Sequence, residues 1–236
     1  MKTKLTTAFF LFTLLLTGIS VQADEETRSV QPFTEISLRI HANIHLEQGN
    51  KQNLEIVAKA STLEQIVTEV KDGKLIVRFP TKNLFHNDFR PGEITIYITT
   101  PQINGLAISG SGDIVAEDAI KTKSIELSVS GSGNINLSEL TAERVTNSIS
   151  GSGNIILAGK TPAQDLSVAM SGSGNFKALD FSANDVSIKL SGSGNASIDA
   201  KKNLYIRLVG SGNVTYKGEP LVDQGITGSG SVKRVD

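Results

Sequence analysis

The residues able to do chemistry are few. The chain has three histidines, His41, His45 and His86, and no cysteine. His41 and His45 alternate with Ile40, Ala42, Ile44 and Leu46, the pattern of one outward strand face. Four residues of strand separate them by about 13 Å, too far for both to ligate one zinc ion directly. They are read as surface histidines. Glu117 and Asp118 are adjacent and should point to opposite sides of a strand, while Asp180, Asp185 and Asp199 are scattered near expected corners. Glycoside cleavage needs two carboxylates facing one bond, and the order of residues sets up no such pair. The lack of cysteine removes disulfides, thiolate metal sites, thiol nucleophiles and a cysteine-linked lipid anchor. No catalytic residue, metal or cofactor is expected.

A tripeptide dominates the second half. It appears as Gly110-Ser111-Gly112-Asp113, then before Asn134, Asn154, Asn175, Asn195 and Asn213, and last as Gly228-Ser229-Gly230-Ser231, with successive starts 21, 20, 21, 20, 18 and 18 residues apart. A phosphate-cradling loop would need a helix after the glycines, and here an alternating apolar segment follows. A calcium-binding β-roll repeats every nine residues with Asp after the glycines, whereas this period is about twice as long and carries Asn. The residues that close each turn (Asp113, Asn134, Asn154, Asn175, Asn195, Asn213) would stack about 4.8 Å apart. They are read as a structural hydrogen-bonding ladder, with Asp113 and Ser231 as the exceptions at its ends.

The elements that position these turns follow from periodicity. Ile125-Glu126-Leu127-Ser128-Val129 and Val186-Ser187-Ile188-Lys189-Leu190 alternate before the turn, and Asn134-Ile135-Asn136-Leu137 alternates after it. Each period therefore carries two half-buried strands and a corner, with no room for an ordinary helix. Glycine makes up 22 residues, aromatic residues 5%, and tryptophan is absent, which suits short strands around small aliphatic side chains. A fixed period near 20 residues predicts a solenoid whose coils stack on one another. The fold class is all-β, a right-handed parallel β-helix-like solenoid with coils of about 20 residues marked by Gly-Ser-Gly turns.

Residues 1–23 read as a cleavable secretory signal: Lys2 and Lys4, an apolar stretch from Phe9 to Leu16, and Val21-Gln22-Ala23 ahead of Asp24. Residues 24–105 read as degenerate early coils, and 106–236 as the regular repeats. The irregular segment 80–92 interrupts the strands and carries Phe85, His86, Phe89 and Arg90, which combine apolar area with hydrogen-bond donors fit for a sugar or protein. These four are the candidate ligand-binding residues. Charge is balanced, 23 basic against 24 acidic residues, so neither nucleic acid nor an anionic membrane is an expected partner. No transmembrane segment is expected after cleavage.

The Ser-Gly-Ser-Gly-Asn turns at Ser130, Ser150, Ser171 and Ser191, with Val70-Lys71-Asp72-Gly73-Lys74-Leu75-Ile76-Val77 upstream and Tyr216-Lys217-Gly218-Glu219-Pro220 downstream, resemble the head GIN domain family (DUF2807) of autotransporter-adhesin heads. The resemblance covers most of the chain after the leader. It implies a right-handed β-helix-like fold and an adhesin-like role. An autotransporter barrel of its own is not expected, because the repeats continue to residue 236. The expected function is a non-catalytic, exported envelope protein, periplasmic, outer-membrane-associated or extracellular. Its stacked surface would hold an envelope or extracellular polysaccharide or protein. Two alternatives are a polysaccharide-active β-helix enzyme and a scaffold whose last coil self-associates into a homo-oligomer.

Overall fold

A computed structural model describes residues 23–80 and 89–236. The secretory-signal reading of residues 1–23 therefore lies, but for Ala23, outside the described residues.

The regular half begins at Gly105. Ahead of it stand β1 (Asp24–Thr27), β2 (Glu35–Leu38), β3 (Asn43–Gln48), β4 (Asn53–Ala58), one helical turn α1 (Ala60–Leu63), β5 (Val67–Lys71), β6 (Lys74–Arg78) and β7 (Thr95–Thr100). The repeats comprise β8 (Gly105–Gly110), β9 (Asp113–Gly131), β10 (Asn134–Gly151), β11 (Asn154–Ala158), β12 (Ala163–Gly172), β13 (Asn175–Gly192), β14 (Asn195–Gly210), β15 (Asn213–Lys217), β16 (Leu221–Gly228) and β17 (Ser231–Arg234).

The molecule is a parallel β-solenoid. Each coil climbs one strand, turns at Gly-Ser-Gly and runs back along a second. The strands entering the turns form one sheet: β8 pairs with the second half of β9, that with β10, and so on through β12, β13, β14 and β16. The strands leaving the turns form the opposite sheet, from the first half of β9 through β10, β11, β13, β14 and β15 to β17. Both sheets keep register on either side of the turns, so Asn134 lies beside Asn154 and Gly151 beside Gly172, and register shifts occur only toward the second corner.

Alternation fills the space between the sheets. Leu166, Val168 and Met170 point inward from one coil, and Val186, Ile188 and Leu190 from the next. Each such side chain contributes about 1.5–3 kcal/mol by leaving water. Volume is balanced along the columns: Phe176, fully buried, is followed in register by Ala196, as close packing requires. One column holds a polar residue, Asn147, between Leu127 and Val168. It donates to the Ser167 carbonyl at 3.2 Å, and its buried Oδ1 has no hydrogen-bond partner among the described residues.

The segment 24–105 is less regular than a run of early coils. β2 and β3 do form one coil, directly below β8 and β9. The coil beyond it is made by β6 and β7, which come later in the chain and pair in parallel with β2 and β3 on their other side. The end is then closed by antiparallel strands: β5 on β6, β4 on β7 and β1 on β4. Asp72 and Gly73, both at positive φ, make the tight turn that reverses β5 into β6. That reversal is what departs from the repeat, because a two-residue turn can only join antiparallel neighbours.

Candidate functional site

The corner is built from glycine for a steric reason. Gly172 has φ +118, and a Cβ there would stand 2.4 Å from the carbonyl oxygen of Gly151 in the coil below. The second glycine is equally confined: a Cβ on Gly174 would lie 2.2 Å from the Gly153 oxygen. That closeness is used for bonding. The Gly151 carbonyl accepts from both Ser173 N–H (2.8 Å) and Gly174 N–H (3.0 Å).

Beside the glycines runs the amide column. Asp113 accepts from Asn134 Nδ2 at 2.7 Å and from its backbone N–H at 3.0 Å. Asn154 donates to Asn134 at 2.6 Å, Asn175 to Asn154 at 2.8 Å, Asn195 to Asn175 at 3.0 Å and Asn213 to Asn195 at 3.1 Å. Ser231 Oγ closes the series on Asn213 Oδ1 at 2.7 Å. Every amide donates toward Asp113. A carboxylate only accepts, so it fits the end toward which all the donors point. These side chains spend their polar groups on one another and on the backbone, which makes the column a structural element first.

The irregular segment contributes less. Phe85 and His86 lie outside the described residues. Phe89 packs edge-on against Phe79, ring centroids 5.1 Å apart, and Arg90 is exposed. His45 stacks on Tyr97 at 5.2 Å. His41 sits in the corner before β3, not in the strand, where Nδ1 meets the Ser111 carbonyl at 3.0 Å. Glu117 and Asp118 do not point to opposite sides. Both are exposed, and both line a depression of about 160 Å³ with His45, Glu47 and Tyr97, because the chain bends into its second corner there. Among the described residues no three His, Asp or Glu side chains converge to hold a metal.

Two concavities lie on the outer face of the sheet entering the turns. One, of about 510 Å³, is bordered by Asp165, Ser167, Asp185, Ser187, Asn203 and Tyr205. A second, of about 340 Å³, adjoins it toward the corner over Ser148, Ala169, Lys189 and Arg207. Small residues form the floor and long ones the wall at the C-terminal side. Arg207 lies over the Tyr205 ring, 3.8 Å from its centroid, and pairs with Asp223 at 3.1 Å. The hydrogen bond that Arg207 donates to Asp223 raises the Arg207 pKa, so the guanidinium stays charged. Strand register sets the acids in line: Arg144 stands beside Asp165, Asp165 beside Asp185, and Asp185 beside Asn203. Arg144 pairs with Asp165 at 3.5 Å, and Asn203 donates to Asp185. Asp185 is thus one of a row and not a scattered corner acid. The signal was in the sequence: Arg144, Asp165, Asp185 and Asn203 all stand seven residues before the first glycine of their turn.

The family model described as "Putative auto-transporter adhesin, head GIN domain" (DUF2807) matches residues 32–220, most of the solenoid just described. The chain belongs to this family. Solved structures resemble this head GIN domain along nearly their whole length. An adhesin, so named as putative, from Bacteroides fragilis is 25% identical with a TM-score of 0.84, covering 92% of this chain and 98% of its own. A protein from Parabacteroides distasonis named a putative lipid binding protein is 25% identical with a TM-score of 0.75, covering 91% and 97%. A further putative adhesin, from Parabacteroides merdae, shares the fold at 21% identity and a TM-score of 0.69, covering 91% and 97%. No curated protein matches the chain. Among the described residues no helix is long and apolar enough to cross a membrane.

Proposed function

We propose that this head GIN domain is an exported, non-catalytic envelope protein that holds a polymer along the outer face of its turn-entry sheet. The observation that carries the reading is the in-register row Asp165, Asp185 and Asn203, preceded by Arg144, along one edge of a depression floored by Ser167 and Ser187, with a second depression over Ser148 and Ala169 nearer the turns. Rungs repeat every 4.8 Å or so, and a repeating ligand can meet a carboxylate and a hydroxyl on two successive steps, Asp165 with Ser167 and Asp185 with Ser187. Many shallow contacts suit adhesion better than a single deep pocket. An envelope glycan is the partner of choice, since Tyr205 and the hydroxyl floor offer ring stacking and hydrogen bonds together.

Asp165 and Asp185 on neighbouring rungs also answer the requirement of a hydrolase for two close carboxylates. Their surroundings do not divide the roles, however. Each already has a polar partner, Arg144 or Asn203, and the Asp165 side chain is 51% exposed. A catalytic pair needs one acid kept protonated by an apolar setting. Binding without turnover follows.

The test is an array of bacterial glycans and peptidoglycan fragments, with lipid vesicles alongside because one relative is named for lipid binding, and with released products measured in the same wells. Glycan capture that is lost in Asp185→Ala and Tyr205→Ala, without products, is the expected result. Turnover would replace the proposal with the enzyme, and capture by vesicles alone would move the ligand to lipid.

A further inference from the structure

The last coil leaves its core uncovered on one side. Leu204, Ile206 and Leu208 in β14 are 1%, 0% and 1% exposed, whereas Val222 and Ile226, next in the same columns on β16, are 39% and 40% exposed. Leu221 is 79% exposed. The column position between them is taken by Gln224, which is uncharged. β16 is also an eight-residue edge, and among the described residues no strand pairs with its outer side. Such an edge is a template for another strand, and natural edges are usually guarded by charge, shortness or a cover.

The opposite end is guarded. Its edge strands are β1, with Asp24, Glu25 and Glu26, and β5, where Glu69 pairs with Lys71 at 3.2 Å and Arg78 at 2.9 Å. Arg28 reaches the Ile66 and Leu63 carbonyls and ties α1 over the end of the core.

We infer that β16 is a dimer interface, pairing antiparallel with β16 of a second copy about a two-fold axis at Gln224. The residues of the strand match themselves in that register, whereas an axis at Asp223 would set two carboxylates opposite each other and one at Gly225 would set Gln224 opposite Ile226. Val222 falls opposite Ile226 of the other copy, and Gln224 opposite Gln224, so the inward face stays inward on both sides. Asp223 falls opposite Gly225. Gly225 is the position over which Arg207 lies, since a Cβ there would meet Arg207 Cδ at 3.2 Å. Each Asp223 therefore approaches the other copy's guanidinium, and no like charges meet along β16. β17 is only four residues long and carries Lys233 and Arg234, the latter paired with Glu219 at 2.9 Å, so the contact rests on β16. An isologous contact of this kind closes at two copies.

The chain has no cysteine, which gives a clean test. In antiparallel pairing, directly opposed residues have Cα atoms about 4.5–5.5 Å apart, inside the range a disulfide spans. Gln224→Cys should give a disulfide-linked dimer on mild oxidation, while Ser173→Cys, on an exposed lateral corner, should stay monomeric. By sedimentation velocity the wild-type protein should show a concentration-dependent dimer and nothing larger. Val222→Lys should weaken it roughly a hundredfold with the β-sheet circular dichroism unchanged. A wild-type protein that remains monomeric at the highest concentration reached would overturn the inference. So would equal cross-linking of the two cysteine variants, or a series of ever longer oligomers, which would mean a head-to-tail contact.

Discussion

At the scale of single residues, the turn glycines are the least replaceable positions. Gly172 combines φ +118 with a carbonyl 2.4 Å from where its Cβ would stand, so Gly172→Ala meets both backbone strain and a clash with main chain that cannot rotate away. We expect a loss of about 3 kcal/mol in denaturant unfolding. Ser173→Ala, at an exposed neighbour of the same turn, should change stability by less than about 0.5 kcal/mol. The amide column was readable from the sequence because every member follows its glycine directly, so one register aligns all of them. The row from Arg144 to Asn203 was equally regular but not recognised. Its members differ in chemistry, and a seven-residue offset from a turn is conspicuous only once the strands are laid side by side. Asn147 gave no warning at all: it occupies an apolar column where the neighbouring coils have Leu127 and Val168.

At the scale of elements, the division between repeat and end is a division between parallel and antiparallel pairing. Alternation announced the strands flanking the turns well, and it announced β2, β3, β4, β6 and β7 as strands but not β5. It carried no information on their direction. The order β6, β2, β8 across one sheet depends on which free edge each strand meets, a long-range choice that local pattern does not encode. The β5–β6 hairpin has its own electrostatic signature. Arg78, through its hydrogen bond, and then Lys71 hold the Glu69 carboxyl below its ordinary pKa. A carboxylate depressed in the folded state adds stability that is fully present above the unfolded value, near 4.5, and is lost as pH falls through the folded one. Thermal melts should therefore show wild type losing more stability than Glu69→Gln as pH is lowered from about 6 to about 3. Equal losses would mean that the pair is fully screened by solvent.

At the scale of the whole molecule, the register kept at every turn makes the coils interchangeable units there. Deleting residues 173–192 joins Gly172 to Ser193 and brings Asn195 onto Asn154 with turn and column intact. The shortened chain should still unfold cooperatively, and solution scattering should show it shorter by about 4.8 Å. Collapse to an unfolded chain would mean that the coils are not equivalent. The fold and family were legible from the repeat, whereas the binding face was not, since outward residues are free of the packing constraint that makes a core periodic. The amide column also gives the molecule a direction. Each amide is oriented by the one before it, and a single reversed member would set oxygen against oxygen on one side and N–H against N–H on the other. The whole file can therefore run only one way or the other, like a row of compass needles. Asp113 is the fixed needle: being unable to donate, it orients its neighbour, and its identity is registered at Ser231 some six rungs away, roughly 29 Å along the axis.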